Sequence, residues 1–500
     1  MSYITCDAAF SDCDITQQAT GATLGRKENT CLTCQSSVAA RLAAWSMPYR
    51  WIGRWITRDD EKEASRWVLS VGPHQRPEAA YGDWKIGEWV KSSVHTHFRI
   101  NHLDMDDPKI AATYGSYLYS GLLACFALSR VMDEEKPDAQ LLFNGRMSTT
   151  RIALELAQQR DIRTICEERC PIVGRIRLFD DANCLSVRDT DKLWEAWKDT
   201  PLSVDEIDEM SKFLGSRWQG TLDDVAVFSR RMQPTSDVLK KLKVTEGRRL
   251  WVLFTSSMDE TIDKPRKEGT FTTHNAWVEA TIDYVRHYPD IQLAVRVHPN
   301  AGSARSLGKN QEDVAFYERL AENAPSNVCI VSADDDISSY TLASAADLGL
   351  IWCSTIVLEI AAMGKRVVRA GRSWLAYCDF LESTDSEADY PILLEKLKNE
   401  SAPAVDINRA VGAWRFSYVW FFRQSFPFPM VEQSSWYVGE PKYETAADLQ
   451  PGKDPYLDRI CGMLMDNDPM HGPAESRSSE LETLESREIG KRIAFMTQCG

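Results

Sequence analysis

The sequence predicts an α/β protein of two doubly wound domains, with an elaborated N-terminal segment and a C-terminal helical tail. Three observations predict it. The chain has 500 residues, too many for one ordinary core. Short buried apolar runs alternate with amphipathic segments, the grammar of a parallel sheet covered by helices. That grammar stops and restarts around residues 229–248, which read as a linker containing Gln233-Pro234 and Glu246-Gly247. The expected division is residues 1–230, residues 245–425, and a tail of residues 426–500 that is helical or partly disordered.

Residues 1–35 are rich in Thr, Gln and Gly and have weak periodicity. An α/β domain ordinarily opens on a buried strand, and this one does not. Either a first strand lies outside the chain or an elaborated cap precedes the domain. Helical spacing begins with Trp84, Ile86, Trp89, Val90 and Val94. Residues 109–132 form a second helical stretch, ended by Lys136-Pro137-Asp138. Ala139 to Phe143 reads as a short strand and Asn144-Gly145-Arg146 as a turn. Ser148 or Thr149 is the expected cap of a helix over Arg151 to Gln159. Arg163 to Cys166 is the next strand, with Glu167-Glu168 just past its end. Residues 200–217 are helical, with Val204, Ile207, Met210, Phe213 and Leu214 on one face.

The second domain starts with the strand Leu250 to Phe254, which runs into Thr255-Ser256-Ser257-Met258-Asp259-Glu260. Helices follow at Ala276 to His287, Phe316 to Asn323, Ser338 to Ala345 and Ile356 to Met363. Strands lie between them at Ile291 to Val297, Val328 to Val331, Leu348 to Trp352 and Arg366 to Arg369. Gly364 is the expected left-handed residue closing the helix that ends at Met363. Residues 410–424 are apolar and helical, and the segment from about 467 is rich in Ser, Glu and Arg.

Lys+Arg 58 against Asp+Glu 73 gives a net charge of −15, the wrong sign for a dedicated nucleic-acid binder. An anionic ligand therefore needs a local site that works against the overall field. Sixteen Trp residues suit either carbohydrate contacts or a Trp-rich core. The longest apolar candidate, Gly115 to Met132, carries Ser116, Ser120, Ser129 and Arg130 and reads as a buried helix rather than a membrane span. The first residues show no signal-peptide pattern, so a cytoplasmic chain is expected. Thirteen cysteines form no small-domain framework, and reduced thiols are the expectation. Cys6, Cys13, Cys31 and Cys34 include one C-x-x-C, and four thiolates can hold a structural zinc. Their irregular spacing makes plain thiols the preferred reading, with no metal and no cofactor. His95, His97 and His102 with Asp104, Asp106 and Asp107 imitate a metal site, but positions 95 and 97 do not share a helix face.

Ligands of open α/β sheets bind beyond the carboxyl ends of the strands. The conspicuous polar clusters all fall there. Ser354 and Thr355 open a helix straight after a strand, where free N–H groups and hydroxyls favour a phosphate. Glu359 lies one turn on, placed to accept hydrogen bonds from ribose hydroxyls. His298 ends a strand before Pro299 and is placed to donate to a leaving phosphate, with Arg296 on the same side two residues earlier. Ser256 and Ser257 lead a loop after the first strand of this domain, with Asp259 beyond them. In the first domain Glu167 and Glu168 occupy the matching place, and one of them is a candidate general base. No G-x-G-x-x-G, P-loop or G-x-S-x-G pattern is present.

At these residues the chain resembles bacterial capsular polysaccharide biosynthesis proteins of the GT-B glycosyltransferase type. The capsule Kdo transferases are the nearer group and the bacterial sialyltransferases the more distant one. The matching pieces are Phe143-Asn144-Gly145-Arg146, Ile165-Cys166-Glu167-Glu168, Thr255 to Glu260, Arg296-Val297-His298-Pro299, and Ser354 to Glu359 with Gly364-Lys365. They span about residues 85–375.

The resemblance implies two Rossmann-like domains facing a cleft, GT-B-like, with the donor held in the second. It implies a metal-independent glycosyltransferase of surface polysaccharide biosynthesis, moving a sugar from a nucleotide-sugar donor, CMP-sugar favoured, to a glycan or glycolipid acceptor. The resemblance implies His298, Ser354 and Thr355 on the donor phosphate. From their places at the strand ends, Glu168, Asp259 and His298 are the candidate catalytic set, Ser256, Ser257, Arg296, His298, Ser354, Thr355 and Glu359 the candidates on the nucleotide, and Asn144, Arg146 and Glu167 those on the acceptor side. No nucleic-acid partner is expected; association with the inner membrane face or a biosynthetic complex is compatible with this reading. No family Asp or Glu base transfers cleanly. The rival readings are a sugar-nucleotide 2-epimerase on the same architecture and a non-catalytic glycan- or nucleotide-binding assembly protein.

Overall fold

The structure, a computed structural model, describes residues 2–13, 24–98, 100, 102–220, 231–256, 270–302, 311–371, 378–401, 404–435 and 438–498. The described residues fall into two compact units. One holds the chain up to Glu168 together with Leu178–Ser186; the other holds Arg169–Arg177 and the chain from Val187 onward.

In the first unit, β1 (Tyr3–Thr5) pairs in parallel with β2 (Tyr49–Trp51), with α1 (Leu24–Ala44) between them in sequence. α2 (Arg58–Ser70) starts at a capping box. The Asp60 N–H donates to the Thr57 hydroxyl at 3.2 Å, and the Asp60 carboxylate accepts the Thr57 N–H at 2.7 Å. The same carboxylate takes a two-pronged contact from Arg130 at 2.6 and 2.8 Å. α3 (Ile86–Phe98) and α4 (Pro108–Glu135) supply most of the core, with Ile86, Trp89, Val90, Tyr114, Leu118 and Leu122 buried. α4 begins as its sequence requires: Pro at the first helical position, where no N–H is needed, and Asp107 accepting the Lys109 N–H at 2.7 Å.

Next comes a strand–helix–strand unit of β3 (Ala139–Phe143), α5 (Ser148–Gln158) and β4 (Arg163–Arg169), with β3 and β4 parallel, followed by β5 (Arg175–Asp180). Two details differ from the sequence reading. Glu167 and Glu168 lie inside β4 rather than past its end. Neither Ser148 nor Thr149 caps α5. The helix begins at Ser148 itself, and the Ser148 N–H donates to the Ser93 hydroxyl of α3 at 2.8 Å. A side chain from another element has taken over the capping role.

In the second unit, α6 (Arg188–Trp197), α7 (Val204–Gln219) and α8 (Thr235–Lys241) precede the sheet, so the segment read as a linker contains a short helix. The sheet has six parallel strands. In chain order they are β6 (Arg249–Phe254), β7 (Ile291–Arg296), β8 (Val328–Val331), β9 (Leu348–Ile351), β10 (Val367–Arg369) and β11 (Glu382–Ser383), and in space β11-β10-β9-β6-β7-β8. The helices alternate with them: α9 (His274–Arg286), α10 (Gln311–Glu322), α11 (Ser339–Ala345), α12 (Ile356–Ala362), α13 (Tyr390–Asn399) and α14 (Ile407–Tyr418). The two-residue side-chain period of β6 feeds two cores. Trp251 and Leu253 pack with Trp277, Val278 and Ile282, whereas Leu250, Val252 and Phe254 pack with Trp414, Phe416 and Ile489.

Gly364 closes α12 at φ +74°, as its type and place predict. Beyond α14 the chain makes one π turn (Val419–Arg423) and then β12 (Ser425–Pro427), antiparallel to Arg175–Arg177. A hairpin of β13 (Val431–Ser435) and β14 (Val438–Pro441) follows, then α15 (Pro455–Met465) and α16 (Ser479–Gln498). Part of the tail is core: Glu485, Ile489, Ile493 and Met496 of α16 are buried. Trp218, Trp251, Trp277 and Trp414 are fully buried, so these four serve packing. Among the described residues, no helix is long and apolar enough to cross a membrane.

Candidate functional site

The central strand β6 lies between β7 and β9, and the carboxyl ends of these three strands carry the polar residues singled out from the sequence. A cavity of about 60 Å³ sits there. His298, Arg296, Ser354, Thr355 and Glu359 line it, together with Arg217 and Tyr340. Its volume suits a phosphate or one hydroxyl-bearing ring edge.

Thr255 and Ser256 form a clip at the end of β6. The Thr255 hydroxyl accepts the His298 N–H at 2.8 Å, tying β6 to the β7 end. The Ser256 hydroxyl accepts the Cys353 N–H at 3.4 Å, tying β6 to the β9 end. The clip thus sets the spacing between His298 on one side and Ser354 and Thr355 on the other. Ser256 is buried and works on its neighbours; it is not among the residues lining the cavity. Ser257 and Asp259 lie outside the described residues.

The His298 ring is oriented by its own turn. The Asn300 N–H donates to His298 Nδ1 at 3.1 Å, so in the neutral ring the hydrogen sits on Nε2. That is the tautomer a phosphate oxygen requires. Arg296 is buried and committed to the protein: it donates to the Ser332 carbonyl, and its Nε lies 3.5 Å from the Ser339 hydroxyl. Ser354 and Thr355 precede α12, yet neither side chain caps it. The helix start is closed by main-chain bonds, Val357 N–H to the Ser354 carbonyl at 3.2 Å and Leu358 N–H to the Thr355 carbonyl at 3.0 Å.

Glu359 is almost fully buried, and Arg217 of α7 donates to its Oε1. The pair explains how a carboxylate survives there, because a buried charge needs a partner. The carboxylate holds the Arg217 guanidinium firmly protonated against burial, and burial pushes the neighbouring Tyr340 hydroxyl far up, so it stays neutral. Glu359 Oε2 is buried and accepts no hydrogen bond among the described residues, although the Tyr340 hydroxyl lies beside the pair. Arg217 gave no signal in the sequence, since it reaches the cavity from a helix outside the strand–helix alternation.

The residues expected on the acceptor side meet in the first unit. Asn144 (φ +67°) and Gly145 (φ +65°) make a left-handed turn after β3. Gly145 is required there, because a Cβ would lie 2.5 Å from Cys166 Sγ. The Asn144 side chain accepts the Arg146 N–H at 2.9 Å and donates to Glu168, while its own N–H donates to the Glu167 carbonyl at 2.7 Å. Arg146 reaches α3, donating to the Ser92 hydroxyl at 2.7 Å. The structure brings Asn144, Arg146, Glu167 and Glu168 together as one hydrogen-bonded turn.

The histidine cluster resolves into separate structural contacts. His95 is buried in α3 and bonds the Ile100 carbonyl through Nδ1 at 3.1 Å, whereas Asp106 pairs with His74 at 3.0 Å. Cys6, Cys13, Cys31 and Cys34 are all half-buried. Among the described residues, no three His, Cys, Asp or Glu side chains are grouped to hold a metal ion. A larger cavity, about 420 Å³, opens at the amino ends of β6, β9 and β10. Three of its cations are already paired, Arg249 with Asp290, Arg366 with Glu400 and Lys398 with Glu395. It is also at the wrong end of the strands for this class of sheet.

No family model and no curated protein matches the chain. Solved structures do. The chain is similar to a KpsC β-Kdo 2,4-transferase from Thermosulfurimonas dismutans (14% identity, 56% of this chain, 78% of that one, TM-score 0.35). It is similar to a putative UDP-N-acetylglucosamine 2-epimerase from Listeria monocytogenes (12%, 71% and 82%, 0.29). It is similar also to a UDP-GlcNAc 2-epimerase from Neisseria meningitidis bound to UDP-GlcNAc (13%, 73% and 96%, 0.26).

Proposed function

We propose that the chain is a glycosyltransferase that binds a nucleotide-sugar donor at the carboxyl ends of β6, β7 and β9 and passes the sugar to a glycan hydroxyl. One observation carries this reading. A single small cavity collects a histidine with its hydrogen on Nε2, two hydroxyls free of capping duty, and a buried carboxylate whose Oε2 accepts no hydrogen bond among the described residues. The imidazole and hydroxyls suit a phosphate that gains charge as the glycosidic bond breaks. The open oxygen suits a sugar hydroxyl, which can donate to it. The motif resemblance favours a CMP-sugar donor, a cytoplasmic setting and a surface-polysaccharide acceptor, and it supports catalysis without a metal.

Calorimetric titration with CMP, UDP, GDP and CDP tests the reading, followed by incubation with the matching nucleotide sugars. Binding of one nucleotide, with donor consumption that needs an added glycan, is expected. Conversion of UDP-GlcNAc alone would make the chain an epimerase, and binding without turnover would make it an assembly factor. His298→Ala should lower both nucleotide affinity and transfer rate in a folded protein. Ser354→Ala with Thr355→Ala should weaken nucleotide binding by about 1–3 kcal/mol, the range for lost charge-assisted hydrogen bonds. Their melting temperature should hold, since neither hydroxyl caps α12.

A further inference from the structure

We propose that His274 is a positioning residue for the nucleotide cradle, fixing the Thr255-Ser256 clip and thereby the spacing between His298 and the Ser354-Thr355 pair. The inference rests on the nucleotide-sugar reading of that cavity.

His274 is the first residue of α9 and is buried. Its Nε2 accepts the Ser256 N–H at 3.3 Å, and its Nδ1 lies 3.5 Å from Asn275 Oδ1. The hydrogen therefore sits on Nδ1, and Nε2 is a pure acceptor. Ser256 then takes the Cys353 N–H, and Ser354 follows directly in the chain. Thr255, its other neighbour, takes the His298 N–H. One ring nitrogen thus stands behind both halves of the cradle without lining it.

This arrangement works only with an unprotonated ring. A second hydrogen on Nε2 would face the Ser256 N–H donor to donor. The ring's surroundings oppose protonation: among the described residues it abuts Trp277 at 5.5 Å and Trp352 at 5.7 Å, and its hydrogen-bonding contacts are Asn275 on its own helix and Ser256 at the β6 end. None of these groups is charged. Burial holds the imidazole pKa down at about 4. Without the ring, the Ser256 N–H is buried with no acceptor, and the clip must move to find one.

The test compares His274→Phe, which keeps an aromatic ring and removes the acceptor, with His274→Gln, whose amide oxygen can take the place of Nε2. Affinity for CMP, UDP, GDP and CDP is measured by calorimetry from about pH 7 to pH 4, a range that reaches the depressed value of the His274 ring. His274→Phe should bind roughly tenfold more weakly, the loss of one buried hydrogen bond. His274→Gln should recover most of the wild-type affinity at neutral pH and show a shallower decline on acidification. If the wild-type chain binds none of the four nucleotides, the reading of the cavity fails, whatever the variants do. If the wild type binds and a folded His274→Phe binds equally well, the positioning role is wrong. Should His274→Phe not fold, an unchanged acid decline in His274→Gln overturns the inference.

Discussion

Glu359 and Arg217 form a buried ion pair at the lining of the cavity. Each is buried, and each is tolerable only because of the other. Arg217→Met should strand the carboxylate and cost roughly 3–5 kcal/mol, the usual result of removing one partner of a buried pair. Chemical denaturation of wild type and variant measures it; a loss below about 1 kcal/mol would mean that the pair is solvated in solution. Glu359→Gln keeps the shape but makes the group neutral. It should weaken donor binding more than His298→Ala weakens it if the free oxygen is the stronger ligand contact. Comparing the two dissociation constants ranks the His298 and Glu359 ends of the cavity.

Among the secondary elements, α16 is the helix expected of the tail, and it packs into the core. Glu485 sits fully buried on it, its carboxylate accepting from Arg415 Nε at 3.0 and 3.2 Å and from Arg415 Nη2 at 2.6 Å, and from the Leu202 N–H at 2.8 Å. The helix thus ties the start of α7 to α14. Ending the chain at Ser478 should remove Ile489, Ile493 and Met496 from the core and abolish cooperative unfolding of the second unit, read by circular dichroism. Glu485→Ala alone should destabilise by several kcal/mol, since it leaves Arg415 buried without its counter-charge. A milder case is α7, where the Ser203 hydroxyl accepts the Glu206 N–H at 3.2 Å. Ser203→Ala should cost about 1 kcal/mol.

For the molecule as a whole, acid is the condition that separates its buried groups. Burial depresses His274 and His471 to about 4, from an ordinary value of 6.5. Between those values the unfolded chain binds more protons than the folded one. Stability is therefore complete above pH 6.5 and falls as the pH drops towards 4. Asp60 adds a lower step. The Arg130 hydrogen bonds hold its carboxyl down at about 2, below the usual 3.8, so its contribution is present above 3.8 and fades towards 2. Melting temperatures across this range should decline in two stages. His274→Gln should flatten the upper stage, and Asp60→Asn the lower.

The linear order of apolar runs was enough to read the alternating strands and helices from β3 to α5 and from β6 to β10, because side-chain period and burial are local properties of a chain. It also singled out His298, Ser354, Thr355 and Glu359 at or just past strand carboxyl ends, and the structure brings these four around one cavity. Packing fixed the rest. The Ser93 hydroxyl displaced a predicted cap, α16 entered the core, and Arg217 and His274 reached the β6 end from helices that no local pattern connects to it. One of them, between Leu202 and Glu485, joins residues 283 positions apart. A hydrogen bond across such a distance leaves no periodic trace, and it exists only once the sheet has brought its partners together.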